Sequence, residues 1–238
     1  MTETIQLGDI NITVNRKAVK NVHLSVHPPL GFVTLVAPAE TRLDVVRAYA
    51  ISKLNWIRDQ QAKLKNQSRE TSRQFIERET HYLWGRRYLM SIDIQDSKPS
   101  VYLDHKRITL SVRPDSNIEK RAAVMHDWHK LLLHAVVPAI ISKWEPRLGV
   151  KVVGYYLQRM KTKWGSCNHA AGNIRLNTEL VKKPKDLLEY VIVHEMAHLI
   201  EPTHSDRFIA ILEHHYPSWR EARAELNELP LTAEVWKS

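Results

Sequence analysis

One cysteine, Cys167, stands in 238 residues, so no intramolecular disulfide can form and the chain suits a reducing compartment. Apolar runs are short as well. None approaches the roughly 20 residues that a membrane-spanning helix needs, which excludes such a helix and leaves no membrane partner to expect. Met1 to Ile10 have neither the basic start nor the apolar stretch of a signal peptide, so a cytoplasmic location is expected. A glycine-rich phosphate loop, a helix-turn-helix, a zinc-finger spacing and an aromatic RNA-binding signature are all missing, and no internal repeat is evident. What remains is ordinary globular composition, 43% hydrophobic and 8% aromatic, enough for one large domain or two small ones.

Charge, by contrast, is plentiful and mostly of one sign. Thirty-five Lys and Arg against 26 Asp and Glu give a net charge of +9, which favours approach to anionic partners. Between Gln158 and Lys185 the bases Arg159, Lys161, Lys163, Arg175, Lys182, Lys183 and Lys185 face one acid, Glu179. This segment reads either as a basic rim able to associate with nucleic acid or nucleotides, or as scattered solvated charge.

Directly after it comes Val193 to Leu199, V-H-E-M-A-H-L. On a helix His194 and His198 share one face, about 6 Å apart along the axis, so both imidazoles can reach one metal ion. Glu195 is then placed to take a proton from water that the ion activates. Pro184, Asp186 and the apolar run Leu187 to Ile200 predict a helix buried on most sides, where unpaired ionisable groups are costly unless a metal engages them. Pro202 disfavours helix at Glu201 and lets the chain turn back. His204 is therefore the natural third ligand, with Glu201 as rival near the end of the same face. Three protein ligands leave one position open, as a catalytic Zn2+ site requires. His214 and His215, in a polar stretch before Pro217, read as surface residues.

Ahead of that helix, alternation over Ile5 to Val14, Val22 to Val26 and Phe32 to Val36 predicts an N-terminal antiparallel sheet with a turn at Pro28, Pro29, Leu30 and Gly31. A helical pattern covers Arg42 to Leu64, and polar Lys65 to Gln74 reads as a loop. Tyr82 to Trp84 with Tyr88 to Ile94, and Val101 to Leu103 with Arg107 to Val112, suggest two hairpins. Asn117 to Leu148 reads as helix that Pro138 should kink or split. Short strands at Val150 to Leu157 and Asn173 to Asn177, then helices at Ser205 to His214 and Ser218 to Asn227, complete the reading. The fold class is α+β: a β-rich N-terminal domain with one amphipathic helix, 1–115, and a helical metal-hydrolase domain with a short sheet, 116–238.

The loop before Asn173 carries Lys163, Trp164, Gly165, Ser166 and Cys167. Gly165 permits a tight backbone and Trp164 offers a wide apolar face for a cleft wall. Trp164, Ser166, Arg175 and Asn177 are the candidate substrate-binding residues. Cys167 reads as a small filler rather than a ligand, and Ser166 has no neighbouring base that would make it a nucleophile.

The segments K-T-K-W-G-S-C-N, G-N-I-R-L-N-T-E-L, D-L-L-E-Y-V-I-V-H-E-M-A-H-L and T-H-S-D-R-F, within Lys161 to Phe208, resemble the YgjP-type predicted metal-dependent hydrolases. Val36 to Pro38 and the helix around Trp56 are similar in order. More distantly, Ile174, Leu176, Leu187, the His-Glu pair, His204 and Phe208 are similar to the SprT-like zincin proteases. That resemblance implies a zincin fold, a protein or peptide substrate, and an extended peptide pairing with the strand Asn173 to Asn177. The reading that follows is a zinc-dependent metallopeptidase with one Zn2+ on His194, His198 and His204 and with Glu195 as general base. A metal-dependent nucleotide hydrolase cutting phosphoanhydrides, and a non-catalytic nucleic-acid-binding protein, are the alternatives.

Overall fold

The computed structural model describes residues 2–27, 31–66, 73–160 and 163–228. The expected turn at Pro28, Pro29 and Leu30, residues 67–72 of the polar loop, and Lys161 lie outside them. The fold is α+β, and the chain divides into two compact units, the first ending ahead of residue 71.

In the first unit β1 (Thr2–Leu7), β2 (Ile10–Lys17), β3 (His23–His27) and β4 (Phe32–Pro38) form one sheet in the order β1-β2-β4-β3. Ile5 to Val14 is not one strand: Gly8, at φ +61, turns the chain between β1 and β2. Nor is the sheet purely antiparallel, because β2 runs parallel to β4, with Val14 opposite Leu35. Alternation reports which face is buried and is blind to strand direction. α1 (Leu43–Ser52) and α2 (Leu54–Asn66) replace the single expected helix, broken at Lys53. Ile12, Val14 and Leu35 of the sheet and Val46, Ala50 and Ile57 of the helices are fully buried together.

The second unit begins with β5 (Thr80–Leu83), β6 (Arg86–Ile94), β7 (Ser100–Leu103) and β8 (Arg107–Val112), in the order β5-β6-β8-β7. Trp84 and Gly85, at φ +51 and +77, make the two-residue hairpin turn whose twist suits antiparallel strands. The boundary expected between 115 and 116 falls inside this unit, for a packing reason. Met90, Ile108, Leu110 and Val112 share a core with Met125 of α3 (Ile118–Leu148), and Leu83 belongs to the main core. The Trp84 and Gly85 N–H groups donate to the carbonyls of Val181 and Lys182 at 2.8 and 3.2 Å, tying the hairpin to the entry of the helix that bears the histidines.

α3 starts where the Asn117 side chain accepts from Lys120 N and ends at Gly149, φ +66. It buries Met125, His129, Leu133, Val137, Ile141, Trp144 and Leu148, three or four residues apart. The helix runs on through Pro138 and is not split there.

β9 (Gly154–Gln158), β10 (Gly165–Asn168) and β11 (Asn173–Asn177) form a third sheet in the order β10-β11-β9. β11 is central, antiparallel to β10 and parallel to β9. A 3₁₀ turn (Thr178–Lys182) leads to α4 (Lys185–Ala197), α5 (Asp206–His215) and α6 (Trp219–Glu228). Among the described residues no helix is long and apolar enough to cross a membrane.

Candidate active site

α4 is apolar on nearly every side and sits in the core, with Leu187, Leu188, Val191, Ile192, Val193, Met196 and Ala197 all buried. The helix stops at Ala197, three residues short of the expected Ile200. Its last turn tightens: the Leu199 and Ile200 N–H groups donate to the Met196 and Ala197 carbonyls, both at 3.0 Å. His198 caps the helix in helical geometry (φ −66, ψ −14), so it keeps its place one turn from His194.

His194, His198 and His204 come together, each offering one nitrogen within 4.8 Å of the others. His194 Nε2 lies 3.1 Å from His204 Nε2. Two nitrogens bound at about 2.0–2.1 Å to one tetrahedral ion would be about 3.3 Å apart, so the donor set fits a divalent metal. His198 Nδ1 is 3.1 Å from the Glu201 carbonyl; the ring donates that N–H and leaves Nε2 as a lone pair aimed at the cluster. Burial, then the neighbouring His198 and His204, push His194 down to about 3, which keeps its imidazole neutral and able to ligate. Its Nδ1 is buried without a hydrogen-bond partner. Beneath all three rings lies Phe208 of α5, 1% exposed, with centroids at 5.0, 4.4 and 4.9 Å from His194, His198 and His204. The Glu201 carboxylate is turned elsewhere and accepts from the Thr203 hydroxyl at 2.7 Å.

Glu195 is 6% exposed, and burial pushes its carboxyl up to about 8 against the opposing charge of Lys163. The carboxyl sits hard against Gly165 of β10. A Cβ at that position would meet Glu195 Oε1, Cγ and Cδ at 2.6, 2.7 and 2.8 Å, so only glycine leaves room. Cys167, on the same strand, has its thiol pushed up to about 11 by burial and then by Glu195, so it is neutral and lies outside the cluster that could hold a metal. A cleft of about 490 Å³ joins Lys163 to Cys167, the three histidines and Glu195 to Tyr190, Arg223, Leu226 and Asn227.

Of the four candidate substrate-binding residues, Trp164 and Ser166 line the cleft, whereas Arg175 and Asn177 do not. Arg175 is exposed on the face of β11 opposite the buried Ile174 and Leu176. Asn177 is buried and structural: its amide donates to the carbonyls of Met160 and Lys163, each at 2.9 Å, and its Oδ1 accepts from Glu179 N. The central place of β11 also corrects the expectation that an extended peptide pairs with Asn173 to Asn177, since both its edges are taken. Nor does the basic segment form a rim. Lys182 pairs with Glu179 at 2.6 Å, Lys183 is buried with its ammonium 5.5 Å from the Trp164 ring centroid, and Lys185 stands 5.2 Å from that of Trp84. Of the described bases of that segment, Lys163 alone lines the cleft.

Arg223, Asn227 and Tyr190 are cleft residues that the sequence does not announce. On α6 the apolar stripe Trp219, Ala222 and Leu226 is readable, but which flank meets the cleft follows from packing alone. Tyr190 stands one turn before His194, its ring edge-on at 5.8 Å.

Two solved structures share parts of the chain. They are the metallopeptidase zymogen of Pyrococcus abyssi abylysin (21% identity over 38% of this chain and 91% of that one, TM-score 0.36) and that of Methanocaldococcus jannaschii jannalysin (22%, 38% and 92%, TM-score 0.34). No curated protein matches. The model of the YgjP-like metallopeptidase domain matches residues 20–229, and the chain therefore belongs to the YgjP-like metallopeptidase-domain family, whose members are metal-dependent hydrolases.

Proposed function

We propose that the protein is a zinc-dependent peptidase in which His194, His198 and His204 hold one zinc ion and Glu195 is the general base. The observation that carries this reading is the convergence of three imidazoles beside a buried carboxylate in one cleft. The ion, when bound, supplies Lewis acidity that lowers the pKa of water and polarises an amide carbonyl. Glu195 takes the proton from the attacking water and passes it to the departing amine. Burial raises this carboxyl well above the ordinary carboxylate range, which suits it to hand a proton on, and the positive charge of a bound ion would favour the ionised form that takes the proton first. Gly165 sets where that carboxyl stands, and the Glu201 carbonyl holds His198 in the tautomer that presents Nε2. β10 supplies the docking edge: on its far side from β11 no strand pairs with it among the described residues, so an extended peptide can add there beside Glu195.

Metal analysis and casein digestion of three variants test this. Glu195→Gln should keep its zinc and lose proteolysis by about two to four orders of magnitude. His204→Ala should lose zinc, and Glu201→Ala should retain it. Undiminished proteolysis in Glu195→Gln sinks the role of the carboxylate, and zinc retained in His204→Ala but lost in Glu201→Ala overturns the ligand set.

A further inference from the structure

Charge inside the cleft is out of balance. Lys163 and Arg223 both line it, and among the described residues Glu195 is the one carboxylate in the lining. Neither cation has an ion-pair partner among the described residues. Elsewhere the chain supplies such partners freely: Lys182 has Glu179 at 2.6 Å, Lys143 has Glu189 at 2.6 Å and Lys151 has Glu145 at 3.0 Å. The contrast is sharpest within α6, where Arg220 is paired with Glu213 and Arg223, one turn later, is left facing the cleft.

Arg223 is held there by its own helix. Trp219, Ala222 and Leu226 bury one side of α6, which presents Arg223 and Asn227, four residues apart, to the cleft. Lys163 comes from a different element, just ahead of β10. With a divalent ion on the histidines, the exposed Lys163 and Arg223 and the ion face a single carboxylate, so the cleft carries a positive potential that attracts an anion. A guanidinium presents its donors as a fork that matches a carboxylate. The apolar lining from Trp164, Val191 and Leu226, and the edge of β10, suit a peptide main chain better than a nucleotide, for which there is no glycine-rich phosphate cradle.

We infer that Arg223 and Lys163 form a receptor for a carboxylate of the substrate beside the scissile bond, either an acidic side chain or the free C-terminus. The inference rests on the peptidase reading for the bond that is cut, and it can be tested apart from it.

The full-length Glu195→Gln protein, zinc-loaded, is titrated with four peptides while tryptophan fluorescence is followed. One pair has a central Glu-Glu or Gln-Gln, and the other pair has no acidic side chain and a free or amidated C-terminus. One carboxylate form should bind roughly tenfold tighter than its neutral partner, with the preference shrinking as salt rises. Whichever pair shows the preference identifies the source. Adding Arg223→Gln should bring the ratio close to one, Lys163→Gln should lower it less, and Arg223→Lys should restore part of it. Equal binding within both pairs overturns the inference, as does tighter binding of adenosine triphosphate than of any peptide. Casein digestion by the wild type separates the two readings. Selective binding without digestion leaves the receptor standing and removes the peptidase, whereas digestion with indifferent binding does the reverse.

Discussion

Two groups of buried polar residues lie close together in sequence and are treated in opposite ways. Around the 3₁₀ turn, Glu179 is paired with Lys182 at 2.6 Å, and Asn177 engages the carbonyls of Met160 and Lys163 and the N–H of Glu179. Nearby in the same unit, His81 meets Glu79 at 2.8 Å. On α4 Glu195 is buried with its carboxyl pushed up and His194 Nδ1 is buried without a hydrogen-bond partner; facing them, the exposed Arg223 has no ion-pair partner among the described residues. Buried polar groups are costly unless paired. The first group meets that cost internally and serves to hold loops. The second leaves it unmet, which makes sense where a metal and a substrate complete the set.

Exchanging the treatment of one residue at a time breaks the comparison. The largest effect is expected at Gly165→Ala, whose Cβ would occupy the space of the Glu195 carboxyl. Peptidase activity should fall by at least about 100-fold with zinc retained, since misplacing a reacting group by about 1 Å has that order of effect. Loss of zinc in this variant would show that the glycine serves the fold rather than the carboxylate. Phe208→Ala should follow, with unfolding made easier by about 3–5 kcal/mol and zinc affinity weakened about 10- to 100-fold. Denaturant titration and a competing chelator measure the two, and unchanged zinc affinity would remove Phe208 from its place under the rings. In the compensated group, Glu179→Gln should cost about 3 kcal/mol by removing the buried charge that Lys182 meets at 2.6 Å, without altering zinc content.

The smallest effect is one of slope, and its sign differs between a buried histidine of α3 and Glu195. His129, buried on α3, has its pKa lowered from 6.5 to about 3 by burial and then by Lys182. The unfolded chain takes up this proton first, so the contribution to stability is present above pH 6.5 and lost as pH falls towards 3. Glu195 is raised from 4.5 to about 8, so in metal-free protein its contribution is present below pH 4.5 and lost as pH rises through 8. His129→Leu should flatten the acid limb of stability against pH, and Glu195→Gln the limb between 4.5 and 8. Parallel curves for wild type and either variant would contradict the corresponding shift.

The active helix is legible in the sequence because an i, i+4 histidine pair, a buried apolar run and Pro202 are all local signals. β10 is not, since Gly165, Ser166, Cys167 and Asn168 include no β-branched or aromatic residue and the strand exists through its pairing with β11. The parallel pairing of β2 with β4 and the approach of Arg223 to the cleft are hidden for a related reason: each joins distant segments whose own patterns do not mention the other. Gly165 is visible only as a flexible residue, and its role as the space reserved for Glu195 needs the third dimension. Asn177 looks like a residue for substrate because it is polar next to the motif, yet its bonds all run to the main chain.

The hydrogen bond from His198 to the carbonyl of Glu201 makes one part of the site insensitive to genetic change. A ligand oriented by a neighbouring carboxylate can be disabled by swapping that acid, and scanning mutagenesis would find it. Here every amino acid at position 201 brings the same oxygen, provided the chain still turns ahead of Pro202. A scan of side chains would pass over the group that holds this imidazole, and an ester in place of the amide between residues 201 and 202, which weakens that carbonyl as an acceptor, is the change that would expose it.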